Sequence, residues 1–143
     1  MTRVTVRYVG DLHCEATHGP SGSQLITDAP VDNQGKGEAF SPTDLVGTAL
    51  GTCILTIMGI MARRNDWDLS GTTADVTKEM ATAPLRRIAR LAVHIHVPHD
   101  LPAEARQKLE AGAHTCPVHK SLHPDIEAPL TFTYGGAAQT KTT

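Results

Sequence analysis

Aromatic residues are scarce in this sequence: Phe, Trp and Tyr together make up 3% of its 143 residues. A hydrophobic core built from it must therefore be mainly aliphatic. The sequence also has no run of basic residues, and its formal net charge is −2. Without basic patches interleaved with aromatic rings, neither a nucleic acid nor an acidic membrane surface is an expected partner.

Cysteines are few and odd in number: Cys14, Cys53 and Cys116. A secreted protein stapled by disulfides normally has an even and denser set. The N-terminal MTRVTVRYVG also lacks the apolar stretch of a signal peptide. We therefore expect a cytoplasmic protein whose thiols are reduced at rest.

Charged residues are missing from all eighteen positions between Leu45 and Ala62. The stretch is long enough to cross a membrane, but it contains three glycines and three threonines, and no aromatic belt flanks it. A helix that is apolar nearly all round in a soluble protein is buried on every side. Because one domain of this size can hardly surround such a helix, we expect a second subunit to contribute.

The start of this helix is marked by Ser41, a capping residue, and by Pro42 at the first helical position. Asp44 lies in the first turn, where a negative charge suits the helix dipole. Glycines spaced in multiples of four remove side chains from one ridge of the helix. This spacing predicts close packing against another backbone, such as that of a symmetry mate.

The remaining elements follow from hydrophobic alternation and from the prolines. Three short strands are predicted before the helix and two longer ones after it. Pro102 begins a second helix, Pro117 a short third one, and a last strand precedes a tail, 136–143, that we expect to be frayed. The order β-β-β-α-β-β-α-α-β predicts one α+β domain, residues 1–143, with a mainly antiparallel sheet.

Two cysteines occupy helical positions. Cys53, in the middle of the apolar helix, is either a small buried hydrophobe or a nucleophile, and apolar surroundings favour the neutral thiol. Cys116 precedes Pro117, so its sulfur either lies at a helix N-terminus that stabilises a thiolate or marks a simple helix junction. A separation of 63 positions in the sequence does not by itself establish a pair.

Eight histidines raise the question of a metal site. His94 and His96 share one face of a predicted strand, His119 and His123 have helical spacing, and Cys14 has a histidine on either side. No HExxH or CxxC motif accompanies any of them. The polar face of a half-exposed strand explains the first pair equally well. We therefore expect no bound metal, and a metal-binding protein remains only an alternative.

Two motifs, in order, resemble those of the OsmC/Ohr family of small thiol-dependent peroxidases. FSPTDLVGTALGTC, which follows a Gly-rich loop, is close to the family pattern of Asn/Ser-Pro, an acidic residue, Leu, a small-residue helix and Cys. HTCPVHKSL is close to the family's Cys-Pro-Val/Ile-Ser signature. A helix, two strands and a helix connect the motifs, and the resemblance extends from Gly35 to about Pro129.

The resemblance implies an OsmC-like fold: antiparallel sheets around a long buried central helix, in an intertwined homodimer with active sites at the interface. It also implies a peroxidase that needs no cofactor. Cys53 would attack an organic hydroperoxide and become a sulfenic acid, and Cys116 would condense with it to form a disulfide. A dithiol reductant, such as a lipoylated protein, would then reduce the disulfide.

The sequence departs from the family pattern at the helix start. The hydroperoxide-resistance branch uses a loop arginine held by a glutamate directly after the helix-start proline. Here that position is Thr43, the acid follows at Asp44, and the only cation of the loop is Lys36. These three are the expected supporting residues of Cys53. The alternative function is a non-catalytic OsmC-like protein that binds a hydrophobic small molecule at the dimer interface.

Overall fold

The computed structural model describes residues 1–136, so most of the tail predicted to be frayed lies outside the described residues. The elements follow the predicted order β-β-β-α-β-β-α-α-β, with one additional 3-10 turn at Val31–Asn33. The chain forms two compact units, Met1–Val46 and a second that begins at Gly47. The single domain of residues 1–143 stays a prediction.

The first unit is a three-stranded antiparallel sheet of β1 (Val4–Gly10), β2 (His13–His18) and β3 (Gln24–Asp28), in that order. Asp11 and Leu12 connect β1 to β2 with φ angles of 53° and 61°. Positive φ at both positions is typical of a tight hairpin turn that matches the twist of its strands. The predicted meander is therefore present.

The hydrophobic side chains of this sheet are accessible. Val4, Val6 and Tyr8 of β1 are 53%, 63% and 64% exposed, and Ile26 of β3 is 51% exposed. Among the described residues, the buried hydrophobic side chains all lie at Leu50 or beyond. The first unit thus contributes a sheet whose apolar side chains are not buried within one protomer.

Helix α1 spans Pro42–Asn65. The Oγ of Ser41 accepts a hydrogen bond from the backbone N–H of Asp44 at 3.1 Å, and the Ser41 N–H donates to the Asp44 carboxylate at 2.9 Å. This reciprocal pair is a capping box with aspartate in place of the usual glutamate. It explains why the helix begins where the Ser-Pro pair predicts.

The second unit contains a three-stranded sheet of β4 (Thr73–Ala81), β5 (Arg87–Val97) and β6 (Leu130–Tyr134). β4 and β5 are antiparallel, whereas β6 pairs with β5 in parallel. The connection from β5 to β6 is long and carries two helices, which is what a parallel crossover requires. The predicted antiparallel pattern therefore has one exception, at the strand that follows this crossover.

Two glycines of α1 face β4. A Cβ at Gly47 would lie 3.3 Å from Val76 Cγ1, and a Cβ at Gly51 would lie 3.0 Å from Val76 Cγ2. A Cβ at Gly59 would meet no described atom within 4 Å. The close packing predicted from the glycine spacing is present, but its partner at Gly47 and Gly51 is β4 and not a symmetry mate.

Within one protomer α1 buries one face, which includes Leu50, Ile54, Met58 and Ala62. The exposed positions of the helix before its charged end are Pro42, Thr48, Ala49, Thr52, Thr56, Gly59 and Ile60. By length and composition alone, α1 is apolar enough to cross a membrane. A core helix passes the same test, and the buried face of α1 packs on a sheet. Burial of the other face needs a further partner.

Helix α2 (Ala103–Ala113) lies against α1 and leads the chain to α3 (Pro117–Ser121). Its buried face consists of Ala105, Leu109 and Ala113. A Cβ at Gly112 would collide with the Met61 side chain of α1, so glycine at this position lets the two helices approach closely. This contact fixes the end of α2 against the second half of α1.

We expect Gly51→Ala to lower the free energy of unfolding by about 1 kcal/mol, because overpacking against Val76 outweighs the helix propensity gained by alanine. Combining it with Val76→Ala removes the atom that the new methyl group meets. Urea unfolding should be measured for the wild type, the two single variants and the double variant. The double variant should lose less free energy of unfolding than the two single variants lose together. Additive losses would contradict this packing.

Candidate active site

Cys116 lies in the turn between α2 and α3 and is 0% exposed. It is the N-cap residue of α3, and its Sγ accepts a hydrogen bond from the backbone N–H of His119 at 3.4 Å. Pro117 occupies the first helical position, where a missing N–H costs nothing. The local fold is therefore the helix start that the Cys-Pro pair predicts.

Cys53 lies in the middle of α1 and is half-buried. Its thiol lies close enough to that of Cys116 to influence the pKa of Cys116. Both cysteines are free thiols. The structure thus brings together two sulfurs that lie 63 residues apart in the chain. The sequence alone left open whether they meet.

Burial raises the pKa of the Cys116 thiol, and the neighbouring Cys53 thiol raises it further. The backbone N–H of His119 acts in the opposite direction but is the weaker influence. Of the two alternatives for Cys116, the stabilising helix start is present, yet desolvation outweighs it. Cys116 is therefore a neutral thiol at pH 7, able to donate its S–H to the Cys53 sulfur.

The three supporting residues expected near the helix start all lie in the first unit. Asp44 accepts the Ser41 N–H, and the Thr43 hydroxyl lies 3.2 Å from the Ser41 hydroxyl. The Lys36 ammonium pairs with Asp11 at 3.1 Å, and this hydrogen bond raises the pKa of Lys36. These contacts stabilise the helix start and the loop, while a role of any of the three in chemistry stays a prediction.

Three of the four histidines considered as metal ligands contact other side chains. His94 lies 2.7 Å from the Thr131 hydroxyl, and both His94 and His96 contact the Thr133 hydroxyl, at 3.0 and 2.6 Å. His123 lies 3.8 Å from an Asp125 carboxylate oxygen. The threonines come from β6, so only the parallel pairing of β5 with β6 brings them to these rings.

One cluster was missed by the sequence analysis. His13, Asp28 and Glu38 each offer one potential ligand atom, and these atoms all lie within 4.8 Å of one another. His13 and Asp28 are partners in the β2–β3 register, a pairing that the predicted meander could have revealed. Glu38 belongs to the loop before α1, and no sequence pattern linked it to either strand.

These features define an α+β protein with two thiols in contact, one in the middle of a long helix and the other at the start of a short one. The family model for OsmC-like proteins matches residues 35–130, two thirds of the sequence. The chain belongs to this family. No functionally curated protein is detectably similar to it in sequence.

Solved structures agree with this assignment. A protein from Psychrobacter arcticus 273-4, named for osmotic stress induction and detoxification, is 50% identical, with a TM-score of 0.88 over 93% of this chain and 96% of that one. An organic hydroperoxide resistance protein OsmC from Legionella pneumophila is 18% identical, with a TM-score of 0.71 over 93% of this chain and 96% of that chain. A Vibrio cholerae organic hydroperoxide resistance protein with captopril bound in one of its active sites is also 18% identical, with a TM-score of 0.73 over 92% of this chain and 90% of that chain.

The raised pKa of Cys116 predicts how stability depends on pH. Above about pH 9 the unfolded thiol loses its proton while the native one keeps it, so the free energy of unfolding falls as pH rises. Urea unfolding of the wild type and of Cys116→Ala at several pH values between about 8 and 10.5 measures this loss. We expect a steeper loss in the wild type, by up to about 1.4 kcal/mol per pH unit. Equal slopes would contradict the raised pKa.

Proposed function

We propose that this protein is a thiol-dependent peroxidase that reduces organic hydroperoxides through Cys53 and Cys116. The observation that carries the proposal is the proximity of these two thiols, one half-buried and the other fully buried, which is close enough for Cys53 to raise the pKa of Cys116. Two thiols in contact can be joined by oxidation without a large backbone movement. Family membership and the names of the structural neighbours add support.

The reaction begins at Cys53. Its thiolate attacks one oxygen of the hydroperoxide, the O–O bond breaks, and the alkoxide leaves and takes up a proton to become an alcohol. Cys53 is then a sulfenic acid. The two electrons that reduce the peroxide come from this sulfur. Cys53 is the sulfur proposed to react first because it is the less buried of the two.

Cys116 completes the oxidation. Its sulfur attacks the sulfenic sulfur, a disulfide forms, and the hydroxyl leaves with the Cys116 proton as water. Until that step burial keeps Cys116 neutral, and its S–H can stabilise the negative charge on Cys53. Exchange with an external dithiol, such as a lipoyl group, returns both thiols and oxidises the reductant.

The neighbourhood of Cys53 favours an apolar substrate. On the helix face of Cys53, the apolar residues Ala49 and Ile57 lie one turn before and one turn after it, and Cys116 itself is fully buried. The chain has no arginine between Arg7 and Arg63, so the loop before the helix supplies none. We expect an organic hydroperoxide with an apolar group to be preferred over hydrogen peroxide, because that apolar group can be buried next to Cys53.

We expect Cys53→Ser to abolish cumene hydroperoxide reduction with dihydrolipoamide as reductant. Cys116→Ser should still consume one equivalent of peroxide but stop at the Cys53 sulfenic acid, because no sulfur remains to displace the hydroxyl. Peptide mass spectrometry after dimedone labelling distinguishes these products. The wild type should yield the Cys53–Cys116 disulfide instead.

Cys14→Ser is the matched control, because Cys14 is also a half-buried free thiol but lies in β2. It should leave both the rate and the disulfide unchanged. If stoichiometric peroxide oxidised neither Cys53 nor Cys116 in the wild type, the proposal would be refuted.

A second function rests on the missing loop arginine. A non-catalytic protein on the same scaffold would bind a hydrophobic small molecule next to Cys53. In that case the Cys53 thiol would react with peroxide no faster than free cysteine, and a ligand would copurify with the protein. Stopped-flow kinetics and native mass spectrometry of the same preparation separate the two functions.

A homodimer is part of the proposal. The exposed face of α1 and the exposed apolar side chains of β1 both need a partner. Apolar surface that stays exposed to water contributes no hydrophobic stabilisation to the fold. A second copy of the chain supplies both kinds of surface at once. Obligate dimers bury larger and more hydrophobic interfaces than transient complexes do.

We expect sedimentation equilibrium to give twice the mass of the chain, and Val6→Asp to shift the protein towards monomer. Val6 is 63% exposed in the protomer and lies on the same face of β1 as Val4 and Tyr8. Thr5→Asp adds the same charge to the opposite face and should leave the mass unchanged. A monomeric wild type would contradict the dimer, and dissociation in both variants alike would contradict the placement of the Val6 face in its interface.

A further inference from the structure

The cluster of His13, Asp28 and Glu38 has the separations of a metal site. The His13 Nε2 lies 3.2 Å from Glu38 Oε2 and 3.6 Å from Asp28 Oδ2. Ligands placed about 2.0–2.2 Å from a tetrahedral Zn²⁺ are about 3.3–3.6 Å apart. The two carboxylate oxygens lie within 4.8 Å of each other, so a small rotation of the exposed Glu38 side chain completes the triangle.

The His13 ring is oriented for this role. Its Nδ1 lies 2.6 Å from the Asp11 carbonyl oxygen. A carbonyl can only accept, so Nδ1 carries the proton and donates it. In the neutral ring the lone pair of Nε2 therefore faces the two carboxylates. A backbone carbonyl on the distal nitrogen is the usual partner of a histidine that binds a metal.

Asp28 provides the second, independent sign of a missing ligand. Its side chain is 1% exposed, and Oδ2 accepts the backbone N–H of Glu38 at 3.0 Å. Oδ1 is buried, and no described residue forms a hydrogen bond with it. The backbone N–H groups of Lys36 and Ala29 lie near enough to favour the charged carboxylate without closing such a bond. A buried carboxylate oxygen without a partner is costly, and a cation bound by both oxygens of Asp28 would satisfy it.

The local charges are also unbalanced. Asp11, Asp28 and Glu38 are three carboxylates, and Lys36 is the cation that pairs with Asp11 and acts on the other two. A neutral His13 leaves a net negative charge around a buried carboxylate. That charge can be offset by a proton on His13 or by a metal ion. The two possibilities have different consequences in solution.

We propose that His13, Asp28 and Glu38 form a binding site for a divalent transition-metal ion, with Zn²⁺ as the reference ion. One imidazole nitrogen and two carboxylates are a donor set that such ions accept, and water would fill the remaining position. The site is structural in character, because it joins β2, β3 and the loop before α1. It is independent of the peroxidase proposal, since none of its ligands is a thiol.

The test is isothermal titration of ZnCl₂ into the untagged full-length protein after treatment with EDTA. We expect one Zn²⁺ per chain. His13→Gln and Glu38→Gln should each weaken binding by about 10–100-fold or more, because each removes a ligand. Glu38 is exposed and its side chain accepts no helix or strand hydrogen bond, so Glu38→Gln should fold even if an Asp28→Asn variant does not.

Two controls identify the ligands. His123→Gln removes an exposed histidine that lies 3.8 Å from a carboxylate oxygen, and it should leave binding unchanged. Cys53→Ser/Cys116→Ser should also keep the one Zn²⁺, which separates this site from zinc held by thiols. In histidine NMR spectra, Zn²⁺ should perturb the His13 ring.

Two results would overturn the proposal. One is no binding at millimolar Zn²⁺ together with a titrating His13 resonance, which would make the cluster a protonated ion pair. The other is Zn²⁺ binding that both His13→Gln and Glu38→Gln leave unchanged. Neither result would bear on peroxide reduction, which is measured at the thiols.

Discussion

The contact between Cys53 and Cys116 is the interaction on which the functional argument depends. It exists because α2 packs closely on α1, where Gly112 leaves room for Met61. The chain then turns after Ala113 and reaches Cys116, the N-cap of α3. Leu109 and Ala113 are buried completely, so the position of the turn is set by the core. The thiol pair is therefore held by packing and not by a flexible loop.

The two sulfurs occupy different electrostatic environments. Burial dominates at Cys116, and the backbone N–H of His119 only partly offsets it. A helix N-terminus is commonly taken as a sign of an acidic thiol, but here desolvation is larger than the stabilisation by backbone N–H groups. Cys53 is thus half-buried, whereas Cys116 is fully buried and stays neutral at pH 7.

The sequence predicts most of what depends on local pattern. The order of elements, the cap at Ser41 and the start of α3 at Pro117 all follow from hydrophobic spacing and from the steric rules of proline. What it does not reveal depends on contacts between distant segments. The parallel pairing of β6, the orientation of Gly51 towards β4 and the approach of Glu38 to His13 are set by the tertiary fold, which no short window of sequence contains.

A disulfide between Cys53 and Cys116 would change the stability of the fold. A Cys53–Cys116 bond would close a ring of about 63 residues that contains the second half of α1, both long strands of the second sheet and α2. In the chain-entropy view, such a ring restricts the unfolded ensemble enough to stabilise the fold by roughly 4 kcal/mol. The oxidised protein would then be the more durable form, and each reduction would release that constraint.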